Sequence, residues 1–224
     1  RYADAQKWMR APASLQSRYG LDCLNFLIGS IQTSFGTFVA FYLADLGWSK
    51  ESVGLALATG QIAGVIGQIP GGAITDAIHW KRGFAAAGIL MSMGAALILA
   101  IAPLFALVFV AQALDGLTAA IVTPAVAAIS LGLVGRRAMS SRIGRNFRFA
   151  AAGIAITALA QGLIGSYVSK NAIFLTTAIL CALALVALSY IRSDEIDYAR
   201  ARNASAADGA RYQSVGQLIR NRSL

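Results

Sequence analysis

Apolar residues fill long stretches of this chain, and most charged residues fall in the short segments between them. Six stretches are long enough to cross the hydrocarbon core of a bilayer, which takes about 20 mostly apolar residues. They cover residues 21–43, 52–75, 83–102, 104–134, 149–168 and 172–191. Because a backbone that faces lipid must pair its own peptide groups, each stretch is predicted to be a helix. The pattern therefore predicts an all-α membrane protein with six transmembrane helices.

The positive charges divide very unequally between the two ends of these helices. Of the 19 Lys and Arg residues, 17 fall in segments that a six-span topology places on one side, together with both termini. Only Lys50 and Lys170 remain for the other side. Since cytoplasmic loops carry the excess of Lys and Arg, the basic side is predicted to be cytoplasmic. A nucleic-acid-binding stripe is the alternative explanation of the net charge of +9, but the segregation favours a multi-pass protein of the cell (inner) membrane with no nucleic-acid partner.

Charge and polarity divide the chain into three predicted parts. Only 13% of its residues are charged, against about 25% in soluble domains. Residues 1–19 form a predicted cytoplasmic N-terminal segment, residues 20–192 a membrane bundle, and residues 193–224 a polar, Arg-rich cytoplasmic linker. The sequence begins without Met and stops within the linker, so we expect it to be truncated.

Four of the six predicted helices carry polar and small residues at helical spacing. In the first helix, one face carries Asp22, Asn25, Gly29, Gln32 and Gly36. The second, fourth and fifth helices show the same stepping and are predicted to be central, whereas the third and sixth are predicted to be peripheral. Their shared polar interior is predicted to be a substrate or ion path, lined by Asn25, Gln32, Gln61, Gln112, Asp115 and Gln161. The alternative is that the glycines are packing faces and the glutamines form interhelical hydrogen bonds.

Asp115 is the candidate for binding a proton or another cation, since an ionisable group inside a membrane is by default a functional hypothesis. Its alternative role is a hydrogen bond to Gln112 or to a neighbouring helix. Asp22 lies near the predicted cytoplasmic end of its helix, where a simple interfacial role is expected. The sequence contains no phosphate-binding loop, nucleophile elbow or metal-ligand pair. Neither an enzyme activity nor a cofactor or metal site is therefore predicted.

A charge cluster is predicted in the turn between the second and third helices. Gly72 precedes Asp76 by four residues, and Lys81 and Arg82 follow that aspartate. The glycine would let a neighbouring helix approach closely, and the carboxylate can pair with an Arg or cap a helix N-terminus. The basic pair can anchor the turn at anionic headgroups. Such a cluster can act as a gate that holds one conformation of a moving helix bundle.

This turn resembles the signature loop of the major facilitator superfamily (MFS). The residues at matching positions are Gly72, Asp76, Lys81 and Arg82. Ala77 and His79 depart from the family pattern, which usually has a base and a glycine at these positions. The resemblance covers residues 18–192. It includes the run Gly144-Arg145-Asn146, which precedes a fifth helix containing Gly153.

The resemblance implies the N-terminal six-helix half of the MFS fold, with the C-terminal six-helix half of the same transporter as partner. It implies a secondary active transporter that moves a small-molecule substrate by alternating access, coupled to protons or another ion and surrounded by membrane lipids. Export is one direction that it allows, although Gln112 stands where many exporters carry Arg. A membrane scaffold or assembly protein, a passive channel, and a six-span half that works as a dimer remain alternatives.

Overall fold

The computed structural model describes residues 13–78 and 80–197, apart from the side chains of Thr37 and Asp76. Predictions about residues 1–12, His79 and residues 198–224 lie outside this part of the chain. Its long helices are α1 (Leu15–Asp45), α2 (Lys50–Ala77), α3 (Lys81–Ile101), α4 (Phe105–Tyr167) and α5 (Lys170–Ser189). Helix α1 runs through a π-helical turn at Ser34–Phe38, and a short 3-10 turn at Ser193–Glu195 follows α5.

The all-α prediction is confirmed for the described residues, in which five helices are long and apolar enough to cross a membrane. The predicted fourth and fifth stretches are joined in α4, which has 63 residues and as a straight helix would be about 95 Å long. Helix α4 is interrupted at Gly135, whose φ of 72° and ψ of 172° are not helical. Glycine adopts a positive φ without a steric penalty. The break separates a first limb (residues 105–134) from a second limb (residues 136–167).

Glycines bring the helix backbones into direct contact at two crossings. Helix α1 packs against the second limb of α4, where a Cβ atom on Gly153 would collide with the carbonyl oxygen of Phe26. Helix α2 packs against the first limb, where a Cβ atom on Gly116 would collide with the carbonyl oxygen of Gly60. The alternative of glycines as packing positions therefore holds at Gly153 and at Gly29 but not at Gly36, where a Cβ atom would meet no atom within 4 Å.

Helices α3 and α5 complete the bundle by packing against each other and against the helices already described. Near the C-terminal end of α1, the ring of Tyr42 is buried and meets Phe174 edge to face, with ring centroids 5.0 Å apart. The Tyr42 hydroxyl donates a hydrogen bond to the carbonyl oxygen of Leu99 at 3.2 Å. These contacts join α1, α3 and α5 at the end of the bundle that lies opposite the N-terminus of α1.

The basic residues of the described chain collect at the other end of the bundle, hereafter termed the basic end. It carries Arg18, Lys81, Arg82, Arg136, Arg137, Arg142, Arg145, Arg148 and Arg192. At the opposite end, Lys170 forms an ion pair with Asp45. The charge segregation seen along the sequence is thus also a segregation in space.

The segment after α5 is bound to the basic end. The Glu195 carboxylate accepts hydrogen bonds from the backbone N–H and the hydroxyl of Ser14, each at 3.0 Å. The N–H of Asp197 donates to the carbonyl oxygen of Gly132 at 3.1 Å. Ile196 is buried and packs against the same glycine. The segment therefore joins the start of α1 to the end of the first limb of α4.

We expect Glu195→Gln to lower stability at neutral pH by about 1 kcal/mol and to have little effect in acid. Burial raises the pKa of the Glu195 carboxyl, but hydrogen bonds from Ser14 and Ser17 outweigh burial, so the net pKa is lowered. Because the folded pKa is depressed, the contribution is complete above the unfolded pKa of about 4.3. It is lost as the pH falls through the folded pKa.

Thermal unfolding of the purified protein from neutral pH down to about pH 3.5 measures this linkage. The matched control is Asp194→Asn, whose side chain is 71% exposed and whose stability should follow the wild type throughout. The interpretation is wrong if the Glu195→Gln variant loses the same stability at both ends of the pH range.

Candidate functional site

A cavity of about 220 Å³ lies between α1, α2, α3 and the first limb of α4. Its apolar wall is formed by Ile28, Ile31, Phe35, Gly36, Ile89, Ala119 and Val122. Its polar lining residues are Gln32, Gln61, Ser92, Asp115 and Thr118. A mainly apolar recess with a few convergent polar groups is the usual form of a small-molecule site.

Among the described residues that line the cavity, Asp115 is the single charged one. It directly precedes Gly116, the residue at which the backbones of α2 and the first limb touch. The crossing of two packed helices therefore sets the position of this carboxylate. Within residues 13–78 and 80–197, no Lys or Arg forms an ion pair with Asp115.

The π-helical turn of α1 shapes one side of the cavity. Ser34 begins this turn, and the next two residues, Phe35 and Gly36, line the cavity. The buried hydroxyl of Ser34 lies 2.7 Å from the side-chain nitrogen of Gln161 and 2.7 Å from the hydroxyl of Thr177. These hydrogen bonds connect the turn to the second limb of α4 and to α5. Such π-helical turns are frequent at functional sites.

Of the six residues predicted to line a substrate or ion path, the structure brings Gln32, Gln61 and Asp115 together at the cavity.

The other three predicted path residues, Asn25, Gln112 and Gln161, are buried in the bundle and do not line the cavity. Asn25 donates a hydrogen bond to the carbonyl oxygen of Leu21 at 2.7 Å. Gln161 donates to the hydroxyls of Ser34 and Thr177, which matches the alternative reading of the glutamines as interhelical hydrogen bonds. A role for these three in a path stays a prediction.

Helix α3 contributes to the cavity, which the sequence analysis missed. The third predicted helix was expected to be peripheral, but Ile89 and Ser92 form part of the cavity wall. That expectation is wrong because one face of α3 packs against the first limb of α4 beside Asp115. Ser92 is the residue of α3 that could have indicated a place in the cavity wall. A serine in a helix usually hydrogen-bonds to its own backbone, however, so its presence alone does not predict such a role.

The predicted gating turn is only partly described, since the side chain of Asp76 is outside the described residues. A Cβ atom on Gly72 would meet no atom within 4 Å, whereas one on Gly71 would lie 2.5 Å from the carbonyl oxygen of Ala120. The expected close approach therefore occurs at Gly71 and not at Gly72. The rotation of α2 about its axis decides which of the two adjacent glycines meets the first limb.

The two basic residues of this turn bind helix ends. The ammonium of Lys81 is buried and donates to the carbonyl oxygen of Thr75 in the last turn of α2 at 2.7 Å. Arg82 lies within 3.4 Å of the carbonyl oxygen of Ser189 at the end of α5. Positive charge at a helix C-terminus is favourable because it opposes the helix dipole. This pair therefore stabilises the basic end of α2 and of α5.

Asp22 is the centre of a buried ion cluster, which goes beyond the simple interfacial role expected from the sequence. Its side chain is 3% exposed and accepts a hydrogen bond from Arg142 at 2.7 Å. Arg145 approaches the same carboxylate with two nitrogens, the closer at 2.6 Å. Arg142 also donates to Asn146, which in turn donates to Ser130. The cluster joins α1 to both limbs of α4 on either side of the break at Gly135.

Comparison with protein families and with curated proteins gives matches of both kinds. A family model described as Major Facilitator Superfamily matches residues 21–224. The chain is also 33% identical over 211 residues to an uncharacterized MFS-type transporter of Mycobacterium tuberculosis, in strain CDC 1551 / Oshkosh and in strain H37Rv. The match covers 91% of this chain and 50% of each relative. The chain thus spans about half the length of the curated relatives it matches.

Two solved structures share the fold. Both are crystal structures of a peptide transporter POT in complex with sulfate, one of them of a mutant. Their TM-scores are 0.71 and 0.72 at 19% sequence identity, and the superposition covers 95% of this chain and 45% of theirs. At this level of identity the similarity shows a common fold and nothing about the solute.

Proposed function

Because this chain belongs to the Major Facilitator Superfamily, we propose that it forms the N-terminal half of a secondary active transporter. The transporter moves a small solute across the cytoplasmic membrane by alternating access, coupled to a proton or another ion. The observation that carries this proposal is the cavity around Asp115, where a carboxylate, two amide side chains and an apolar wall converge. The C-terminal six-helix half of the same transporter would close the site from the other side.

One contact at the basic end supports an even number of membrane crossings. Ser14, at the start of α1, lies 3.0 Å from Glu195, just after α5. Both ends of the bundle therefore lie on one face, which five single crossings would not allow. Two crossings by the limbs of α4 would bring the proposed total to six, and the broken helix at Gly135 is compatible with them. The accumulation of Arg and Lys supports a cytoplasmic location of this face and of both termini.

Helix α2 presents an apolar face to the outside of the bundle. Its exposed large apolar side chains are Leu55, Ile62, Val65, Ile66, Ile69 and Ile74, with exposed fractions of 43% to 84%. Apolar surface of this extent needs lipid or protein around it. It supports an arrangement in which α2 contacts lipid and the second half of the transporter.

We expect Asp115→Asn to reduce gradient-driven transport by tenfold or more and to leave the fold intact. The amide keeps the size of the side chain but can carry neither a proton nor a negative charge. The assay uses the full-length transporter in liposomes, with an imposed proton or sodium gradient and a panel of labelled amino acids, sugars, nucleosides and amines. Asp194→Asn is the matched control because its carboxylate is exposed and lies outside the cavity.

Other outcomes of the same assay would contradict the proposal. Full transport by the Asp115→Asn variant would remove Asp115 from the mechanism. A wild-type protein that moves no solute under either gradient would favour a non-transporting scaffold or assembly protein. Downhill flux without coupling would indicate a channel. Native mass measurement of the detergent-extracted protein distinguishes a two-half chain from a dimer of six-span halves.

A further inference from the structure

We propose that the cavity around Asp115 binds its solute through a primary or secondary ammonium group. This inference rests on the proposed transport function and assigns a substrate class to the same cavity. It follows from the charge of Asp115 in a mainly apolar cavity and from two buried polar groups near it that lack hydrogen-bond partners.

The charge of the cavity comes from one carboxylate. No Lys, Arg or His is among the residues that line it, and no ion pair to Asp115 forms within the described part of the chain. A carboxylate beside apolar walls is costly to keep ionised unless a positive group is close to it. A positively charged ligand would offset this cost, whereas an anionic ligand would increase it.

Two buried polar groups near Asp115 also lack a partner. The hydroxyl of Ser92, which lines the cavity, and the side-chain oxygen of Gln112 make no hydrogen bond within the described residues. Both residues are at most 3% exposed. Gln112 precedes Asp115 by three residues, a spacing that places two side chains next to each other on a helix. Buried polar groups are normally paired, so each unpaired one needs an explanation.

The thiol of Cys181 is a poor hydrogen-bond partner for these two groups. Cys181 of α5 lies close enough to interact with both Ser92 and Asp115. A thiol is only a weak hydrogen-bond donor. The hydroxyl oxygen of Ser92 and the side-chain oxygen of Gln112 can therefore each still accept a hydrogen bond. An ammonium group supplies positive charge together with two or three N–H donors, whereas a proton on Asp115 would supply a single donor.

The rest of the cavity fits the carbon skeleton of a small amine. Ile28, Ile31 and Phe35 form an apolar wall on the α1 side. The volume of about 220 Å³ has room for on the order of fifteen water molecules. A quaternary ammonium would carry the charge but could not donate a hydrogen bond to the hydroxyl oxygen of Ser92, which lines the cavity. A neutral alcohol of the same shape would lack the charge.

The test measures binding of labelled 2-phenylethylammonium to the full-length transporter in lipid nanodiscs at neutral pH. Its N,N,N-trimethyl derivative and 2-phenylethanol serve as competitors of matched shape. We expect the primary amine to bind at least tenfold more tightly than either competitor, and Asp115→Asn to abolish that preference. Ser92→Ala should weaken binding several-fold, and Asp194→Asn should leave it unchanged. Thermal unfolding of each variant separates lost binding from lost folding.

Each remaining outcome overturns the proposal. Equal competition by the quaternary derivative would mean that charge alone is recognised, and equal competition by the alcohol would mean that only apolar contacts matter. Unchanged amine binding in the Asp115→Asn variant would place the site elsewhere. If the amine does not bind while proton-driven transport of another solute depends on Asp115, the ammonium proposal fails and the proposed transport function stands.

Discussion

Gly153→Ala is expected to destabilise the bundle by about 2 kcal/mol or more, because an added methyl group would separate two touching helices. Its Cβ atom would collide with the carbonyl oxygen of Phe26 and would lie 3.0 Å from the hydroxyl oxygen of Ser30. Both obstacles belong to α1, and one is backbone that cannot rotate away. The second limb of α4 would have to move away from α1 along the whole crossing.

The matched control is Gly162→Ala in the same limb. A Cβ atom at position 162 would meet no atom within 4 Å, and alanine is favoured over glycine in a helix by up to about 1 kcal/mol. Thermal unfolding of the purified protein in detergent should therefore shift in opposite directions for the two variants. Gly116→Ala should behave like Gly153→Ala. Equal unfolding temperatures for the variants at 153 and 162 would show that the two helices do not touch as described.

Asp22→Ala is expected to destabilise the protein by about 3–5 kcal/mol, the usual cost of removing one partner of a buried ion pair. Arg142, whose side chain is 4% exposed, would keep its positive charge without a carboxylate beside it. Arg145 would lose its partner too, but its side chain is 36% exposed and water would solvate it. The cost therefore comes mainly from Arg142.

The two arginines provide an internal comparison for this prediction. Arg145→Ala should cost less than Arg142→Ala, since Asp22 keeps a buried partner and the lost group is partly solvated. Arg142→Ala also removes the hydrogen bond to Asn146. Unfolding temperatures, or protection of amide hydrogens in α1 against exchange, measure the order. An Asp22→Ala variant as stable as an Asp194→Asn control would show that the cluster contributes nothing to stability.

Helix α1 is held at both ends and near its middle. At the basic end, Asp22 forms ion pairs with α4. At the opposite end, Tyr42 contacts α3 and α5. Between them, Ser34 in the π-helical turn forms a hydrogen bond with Gln161. A helix anchored in this way moves with its bundle. These anchors agree with the proposed alternating-access mechanism, in which this bundle would rotate as one body around the cavity.

Much of the architecture could be predicted because it depends on properties local to the chain. Helix length follows from the match between apolar stretches and bilayer thickness. The polar faces follow from the 3.6-residue period, which placed Gln32, Gln61 and Asp115 in a common interior before any contact was known. The signature residues Gly72, Asp76, Lys81 and Arg82 lie close together in the sequence, and so they could be recognised from it alone.

The contacts between helices could not be predicted in the same way, because they depend on the height and rotation at which two helices cross. Asp22 and Arg142 are separated by 120 residues, and nothing in their local sequence pairs them. The helix crossings also decide that Gly71, and not Gly72, contacts the first limb of α4. They decide as well that Ser92 forms part of the cavity wall.

The sequence by itself thus determined the helical membrane bundle, the family and the charge asymmetry of its two ends, since each depends on composition and spacing along one segment. The tertiary structure alone decided which side chains meet. It set the carboxylate of Asp115 beside an unpaired serine, and it enclosed that of Asp22 between two arginines. The physical reason is that the partners of a buried charge come from other helices, whose relative positions follow from packing throughout the bundle.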